Sequence, residues 1–148
     1  MRAEQIAEEF PMVRSDSDAI EAVRLIAEHQ LPGLVITDPA GRPLQIVPAS
    51  QVVRLLVPAY VQDDPALAGV VGELTADRVA ARLKGKSVKE ALATAPPKLA
   101  RVNADDTIIE VAAVMAREHC PLAAVVADDR LIGIITASRL LEVALNNQ

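Results

Sequence analysis

Residues 102–112 read Val-Asn-Ala-Asp-Asp-Thr-Ile-Ile-Glu-Val-Ala, a polar turn that leads into an apolar run. Thr107 and Glu110 have the spacing of a capping box. In that motif the threonine hydroxyl accepts a hydrogen bond from a first-turn amide, and the glutamate bonds back to the cap. Apolar residues then recur at helical spacing as far as Met115. The stretch therefore predicts a helix that begins after Thr107 and buries one face.

A second copy of this pattern lies 89 residues earlier in the chain. At that offset Val13 falls on Val102, and after a gap of one residue Ser50 falls on Ser138. Self-similarity at one offset indicates a duplicated structural unit. Neither copy is long enough to cover itself well, so we expect the two copies to share a core.

Each copy shows the same succession of predicted elements. The first helix is expected to stop at the following proline, because proline disfavours helical backbone in the residue before it. Two short apolar strands then flank a turn rich in Asp, Gly or Pro. The strands of the second copy are apolar in runs, which is typical of a sheet covered on both faces. The predicted elements are helices from 19 to Pro32 and from 108 to Pro121, strands at 34–37, 44–47, 122–126 and 131–135, and final helices at 50–57 and 138–145.

A segment between the copies has the composition of a helical connector. Asp64-Pro65 is a good helix start, Thr75 is a candidate cap, and Gly85 is a candidate helix end. A further capping box at 87–90 opens a short helix that matches one predicted at 4–8. The predicted organisation is a first repeat at 1–57, a connector at 58–85 and a second repeat at 86–148.

Composition excludes several classes of partner. The chain of 148 residues has a net charge of −5, which disfavours binding to nucleic acid. Phe10 and Tyr60 are its only aromatic residues, so platforms for stacking bases are nearly absent. No apolar run approaches the ~18–20 residues of a membrane span. We expect a cytoplasmic protein that does not insert into membranes.

The sequence contains few residues in the arrangements that catalysis or metal binding requires. Cys120 is a lone cysteine and is predicted to be a buried core thiol. His29 and His119 have no second ligand at metal-binding spacing. The acid pairs are predicted to serve turns and helix caps; they lie at 63–64, 105–106 and 128–129. We therefore expect neither a catalytic site nor a metal site.

Residues 131–141 complete a recognisable pattern, Leu-Ile-Gly-Ile-Ile-Thr-Ala-Ser-Arg-Leu-Leu. Together with residues 102–112 and the apolar strand after Pro121, this stretch resembles a CBS domain, the module named after cystathionine β-synthase. The duplication resembles a tandem CBS pair, or Bateman module, over about residues 1–57 and 86–148. The resemblance implies an α/β (α+β) fold in which two β-α-β-β-α repeats pack as a pseudo-two-fold pair with a helical connector.

The resemblance also implies a ligand site and partners. Such pairs commonly form homodimers, bind adenine nucleotides or S-adenosylmethionine between the copies, and regulate an enzyme or an ion transporter. This chain has no room for an enzymatic domain, so the regulated partner would be a separate polypeptide. The final helices of both copies are apolar on more than one side, which also favours a homodimer.

The family's nucleotide motif reads roughly Gly-apolar-apolar-Thr/Ser-x-x-Asp. The second copy keeps Gly133 and Thr136 but has Arg139 in place of the acid, and the first copy has Gln51 there. Arginine has only donors and cannot accept from ribose hydroxyls, so this loss of the ribose-binding Asp weakens the expectation of a nucleotide. The candidate ligand-binding residues are Gly133, Thr136, Ser138, Arg139 and Gln51, with an anion as the favoured ligand.

Two functions compete on this basis. The first is a non-catalytic regulatory module that senses a ligand and acts on a separate transporter or enzyme. The second is a degenerate CBS pair that serves only as a dimerisation or assembly scaffold and binds no small molecule. A ligand would stabilise the first against heat but not the second.

Overall fold

The computed structural model describes residues 1–56, 66, 81–92 and 99–146, and in these the chain forms two three-stranded sheets. In each sheet the central strand pairs parallel with the first strand and antiparallel with the third. The strands are β1 (Met12–Arg14), β2 (Gly33–Thr37), β3 (Pro43–Pro48), β4 (Arg101–Asn103), β5 (Leu122–Ala127) and β6 (Arg130–Thr136). The predicted α+β class and the duplication are confirmed.

Helices connect and cover the strands in both repeats. They are α1 (Ala3–Ile6), α2 (Ala19–His29), α3 (Ala49–Val52), α4 (Val88–Ala91), α5 (Ile108–Glu118) and α6 (Ala137–Asn146). The helix predicted over 50–57 is shorter than expected, because after Val52 the chain tightens into a 3-10 turn at Val53–Leu56. Two adjacent β-branched valines reduce α-helical propensity at that point.

The capping box at the start of α5 is confirmed. The Thr107 hydroxyl accepts from the amide of Glu110 at 3.3 Å, and the Glu110 carboxylate accepts from the Thr107 amide at 3.3 Å. The matching cap of α2 differs, because Asp18 accepts from the amide of Ile20 instead. Glu21 is then left to pair with a neighbouring arginine on its own helix.

The prediction that proline stops the two long helices is wrong in mechanism. Gln30 and His119 follow the last helical residues and adopt left-handed backbone, each with φ 51°. In the second repeat the amide of Cys120 then donates back to the carbonyl of Met115 at 3.1 Å. A left-handed residue of this kind ends a helix by satisfying its last carbonyls. The prolines therefore lie beyond helices that have already ended.

Helix α1 packs on the second repeat rather than on the first. The amides of Ala3 and Glu4 donate to the carbonyls of Asp106 and Ala104 at 2.8 and 2.9 Å. Ala3 and Ile6 are buried in the core of the second repeat. Helix α1 is therefore a structural part of the second repeat, although it precedes the first repeat's strands in sequence.

Helix α4 makes the reciprocal contact with the first repeat. The amides of Val88 and Lys89 donate to the carbonyls of Ser17 and Ser15 at 2.8 and 3.1 Å. Val88 is buried with the side chains of β1, α2 and β2. The two repeats thus exchange their short helices by the same pair of bonds, which is the local expression of the pseudo-two-fold symmetry.

The larger hydrophobic cluster joins the two repeats. It contains Val35 and Ile46 of the first sheet beside the strands of the second. Cys120 is buried in the same cluster, as predicted. The predicted connector falls mostly outside the described residues, including the expected helix starts at 64 and 75; Gly85 has φ 77°, as a helix-ending glycine requires.

Replacing Thr107 tests the contribution of the α5 cap. We expect Thr107→Ala to lower the free energy of unfolding by about 1 kcal/mol at neutral pH, because two bonds at the helix start are lost. Asp105→Ala is the matched control, since that exposed side chain takes no part in the cap, and should change stability by less than about 0.5 kcal/mol. Urea unfolding followed by circular dichroism measures both.

The penalty should also depend on pH. The Thr107 hydroxyl donates to the Glu110 carboxylate and holds the pKa of that carboxyl below its ordinary value of 4.5. A lowered folded-state pKa stabilises the protein above the unfolded pKa, and this stabilisation is lost as pH falls through the folded value. The difference between wild type and Thr107→Ala should therefore shrink below pH 4.5. A constant difference on acidification would contradict this.

Candidate functional site

Three of the predicted site residues meet where β6 passes into α6. Thr136 ends the strand, and its hydroxyl accepts from the amide of Arg139 at 3.1 Å. The hydroxyls of Thr136 and Ser138 lie 3.2 Å apart. We call this group, Thr136, Ser138 and Arg139, the β6–α6 junction. The junction joins two neighbouring hydroxyls to the backbone of a residue that carries a guanidinium.

Backbone amides at the junction are largely used by the protein itself. The amide of Ala137 donates to the carbonyl of Pro121 at 2.9 Å, and that of Arg139 is held by Thr136. The first amides of a helix are otherwise free to bind an anion. These two amides are therefore not free to bind an anion at the junction.

Gly133 is placed on β6 opposite Val125, where the segment after α1 crosses the strand. A Cβ at position 133 would lie 2.8 Å from the Cβ of Ala7 and 3.2 Å from the carbonyl oxygen of Glu8. The glycine is required by this close approach of another segment, and it sits next to the junction without contributing a side chain to it.

Glu8 is a residue of the site that the sequence did not reveal. Its amide and carbonyl exchange hydrogen bonds with Ile134 on β6, each 2.9 Å long. Its carboxylate lies 3.5 Å from Nε of Arg139. The sequence assigned residues 1–57 to the first repeat, so only the helix exchange could have indicated that Glu8 reaches the second.

Arg139 is surrounded by negative charge but is weakly held. Its side chain is 33% exposed, and Glu142 lies 3.8 Å from its Nη1 one turn further along α6. The Nε atom is buried and makes no hydrogen bond. Two carboxylates therefore neutralise the guanidinium without binding it closely.

Gln51 does not join this group. It lies on α3 of the first repeat, where its side-chain oxygen accepts from Nη1 of Arg54 at 3.2 Å. No hydrogen bond or ion pair among the described residues links it to the junction. The five predicted residues thus separate into three at the junction, a glycine beside it, and Gln51 in the other repeat.

A second concave region lies at the opposite end of the second sheet. It is a shallow, open depression of about 430 Å³ between the ends of β4 and β5 and the β5–β6 turn. Asp128 and Asp129 form that turn with left-handed backbone, at φ 52° and 62°. Asp129 pairs with Arg101 at 2.8 Å. This acid pair therefore serves a turn, as predicted.

The part of the chain that the structure describes contains no group of three or more His, Cys, Asp or Glu side chains arranged to hold a metal ion. His29 and His119 lie at the ends of α2 and α5. Of the described helices, none has both the length and the apolar character needed to cross a bilayer.

The fold and the junction together define a tandem pair of small α+β modules with a polar turn between sheet and helix. The family model for the CBS domain matches the chain twice, at residues 3–58 and 88–146. The chain belongs to the CBS domain family and carries two copies of the domain. No curated protein sequence matches the chain.

Solved structures support the same assignment. A CBS domain-containing protein of unknown function from Kribbella flavida is 56% identical, with a TM-score of 0.87 over 98% of this chain and 99% of that one. The CBS-pair protein CBSX2 from Arabidopsis thaliana is 17% identical, with a TM-score of 0.73 over 99% of this chain and 95% of that one. A structure of CBSX2 in complex with AMP is 19% identical, with a TM-score of 0.69 over 99% and 97%. The likeness to CBSX2 is one of fold.

Substituting Gly133 tests whether the segment after α1 must lie this close to β6. We expect Gly133→Ala to destabilise the protein by about 1–3 kcal/mol, because the new methyl group meets Ala7 and the backbone of Glu8. It should also speed hydrogen exchange at the amides of Glu8 and Ile134. Gly33→Ala is the comparison, since its Cβ would meet the carbonyl oxygen of Val47 at 2.8 Å in the other sheet. Equal rates of hydrogen exchange at the Glu8 amide in Gly133→Ala and Gly33→Ala would contradict the requirement for a glycine beneath the segment after α1.

Proposed function

We propose that this chain is a non-catalytic regulatory module that senses a small anionic ligand at the β6–α6 junction. CBS-pair proteins are regulatory, ligand-binding modules as a class, and the two CBS domains of this chain support the proposal. The observation that carries the proposal is the convergence of Thr136, Ser138 and Arg139 on one turn. In this proposal the protein is cytoplasmic, and the ligand-dependent signal acts on a separate partner protein such as a transporter or an enzyme.

The chemistry of the junction favours an anion. Arg139 offers only donors, and a guanidinium binds carboxylates and phosphates through two parallel N–H bonds. The hydroxyls of Thr136 and Ser138, 3.2 Å apart on the same turn of chain, are further polar groups that a ligand of this turn could use. The buried Nε of Arg139 faces the Glu8 carboxylate without a hydrogen bond, so the guanidinium is not fully satisfied within the protein.

Adenine nucleotides and S-adenosylmethionine fit this junction less well. AMP is bound in a structure of CBSX2, which makes it the first nucleotide to test. In this chain the position of the family's ribose-binding Asp holds Arg139, which cannot accept from the ribose hydroxyls. We propose that a compact anion is preferred over a nucleoside.

We further propose a domain organisation with repeats at 1–57 and 86–148 joined by a helical connector at 58–85, in a protein that forms a homodimer. Leu141 and Leu145 lie one turn apart on α6 and are 63% and 68% exposed. Their side chains form an apolar stripe beside the buried Leu140 and Val143. Exposed apolar surface of this kind marks association sites.

The same apolar stripe favours the second candidate function, an assembly scaffold without a ligand. A scaffold needs the α6 surface but not the junction. A thermal-shift series with inorganic phosphate, AMP and S-adenosylmethionine separates the two functions, because only a sensor is stabilised by a ligand that binds the folded state.

An aspartate at position 139 tests whether Arg139 is what weakens nucleotide binding. We expect AMP to bind the wild-type protein roughly a hundredfold or more weakly than it binds Arg139→Asp, since the loss of two bonds to a charged acceptor costs about 1.5–3 kcal/mol each. Arg130→Asp makes the same charge change at the far end of β6 and should bind AMP as the wild type does. Calorimetry measures all three, and micromolar binding of AMP by the wild type would overturn the argument from Arg139.

The homodimer is tested by light scattering at micromolar concentration. The wild type should have the mass of a dimer, and Leu141→Glu with Leu145→Glu should shift it toward a monomer, because two charges would be buried in the interface. Leu44→Glu, which changes an exposed leucine on β3, should leave the mass unchanged. A monomeric wild type would exclude the dimer.

A further inference from the structure

We propose that Glu8 is a built-in competitor for the ligand of the β6–α6 junction, so that anion binding loosens the segment after α1 from the second sheet. This inference rests on the proposed anion site and adds its regulation. The Glu8 carboxylate lies against the same guanidinium that an anionic ligand would use. Ligand and Glu8 therefore exclude each other at Arg139.

The Glu8 contact is loose enough to be displaced. It is 3.5 Å long at Nε and lacks hydrogen-bond geometry, and the contact with Glu142 is 3.8 Å long. Elsewhere in the chain Arg14 and Arg101 hold aspartates at 2.8 Å. Charge-assisted hydrogen bonds of that length are roughly twice as strong as neutral ones. A phosphate that approaches Arg139 as closely would therefore outcompete Glu8.

Displacement of the carboxylate acts on a defined backbone contact. Glu8 is held on β6 by its reciprocal amide bonds with Ile134 and by its ion pair with Arg139. Ala7 packs over Gly133 on the same strand. When the ion pair is removed, the backbone hydrogen bonds between Glu8 and Ile134 should open more often, because one of the contacts that hold Glu8 on β6 is lost.

The loosening is confined to a short segment. Helix α1 stays docked, since Ala3 and Ile6 are buried and the amides of Ala3 and Glu4 are bound to the second repeat. On its other side the segment leads through Phe10 into β1 of the first repeat. Ligand binding in the second repeat would thus change the mobility of the segment that leads into β1 of the first repeat.

The test measures the binding of inorganic phosphate by calorimetry and the exchange of the Glu8 and Ile134 amides by NMR. Glu8→Gln should bind phosphate up to about fivefold more tightly than the wild type, the factor that corresponds to about 1 kcal/mol for an exposed ion pair. Glu9→Gln, an exposed neighbour without a described ion pair, is the matched control and should bind phosphate nearly as the wild type does. Arg139→Gln should bind none.

Phosphate should also speed amide exchange at residues 8 and 134 of the wild type. In Glu8→Gln the amide of Ile134 should exchange fast already and should not respond to phosphate. Equal phosphate affinity in the wild type and Glu8→Gln, with binding still lost in Arg139→Gln, would overturn the competition and leave the anion site standing. Absence of phosphate binding to both the wild type and Glu8→Gln would overturn the anion site and the competition together.

Discussion

The exchange of the short helices α1 and α4 is the constraint on which the rest of the molecule depends. The first amides of a helix have no partner inside it and must find acceptors elsewhere. In α1 and α4 these amides donate to carbonyls in the loop that precedes the long helix of the opposite repeat. Neither repeat therefore completes its own structure, and each supplies what the other lacks. Because the bonds are backbone bonds, they are insensitive to the divergence of side chains between the two copies.

The helix exchange also determines what surrounds the candidate site. Once α1 is docked on the second repeat, the residues after it must cross β6, and the crossing is close enough to require a glycine at position 133. The same crossing brings Glu8 against Arg139. A carboxylate is thus present beside the arginine of the junction, and it comes from a segment that precedes the first sheet. The surroundings of Arg139 therefore depend on the docking of α1 as well as on the second repeat itself.

Local signals predicted much of this structure, and long-range contacts escaped prediction. The cap of α5 and the strands β2, β3, β5 and β6 were predictable because neighbouring residues determine them. The helix ends were misattributed because Gln30 and His119, rather than glycines, adopt left-handed backbone there. The clustering of Thr136, Ser138 and Arg139 followed from their closeness in sequence. Glu8 was missed because its partner lies in the other repeat, and no periodicity in the sequence indicates which repeat a four-residue helix will join.

The docking of α1 has a consequence for the order in which the molecule is made. A ribosome releases α1 well before the loop at 104–106 that receives it, whereas α4 emerges after the first repeat is complete. Contacts between segments so far apart in sequence are slow to form, because a long loop must close before they are made. During synthesis the first repeat can gain α4 soon after that helix emerges, whereas α1 cannot dock until the loop at 104–106 has been made. The capture of α1 therefore depends on a segment of the second repeat that the ribosome produces much later.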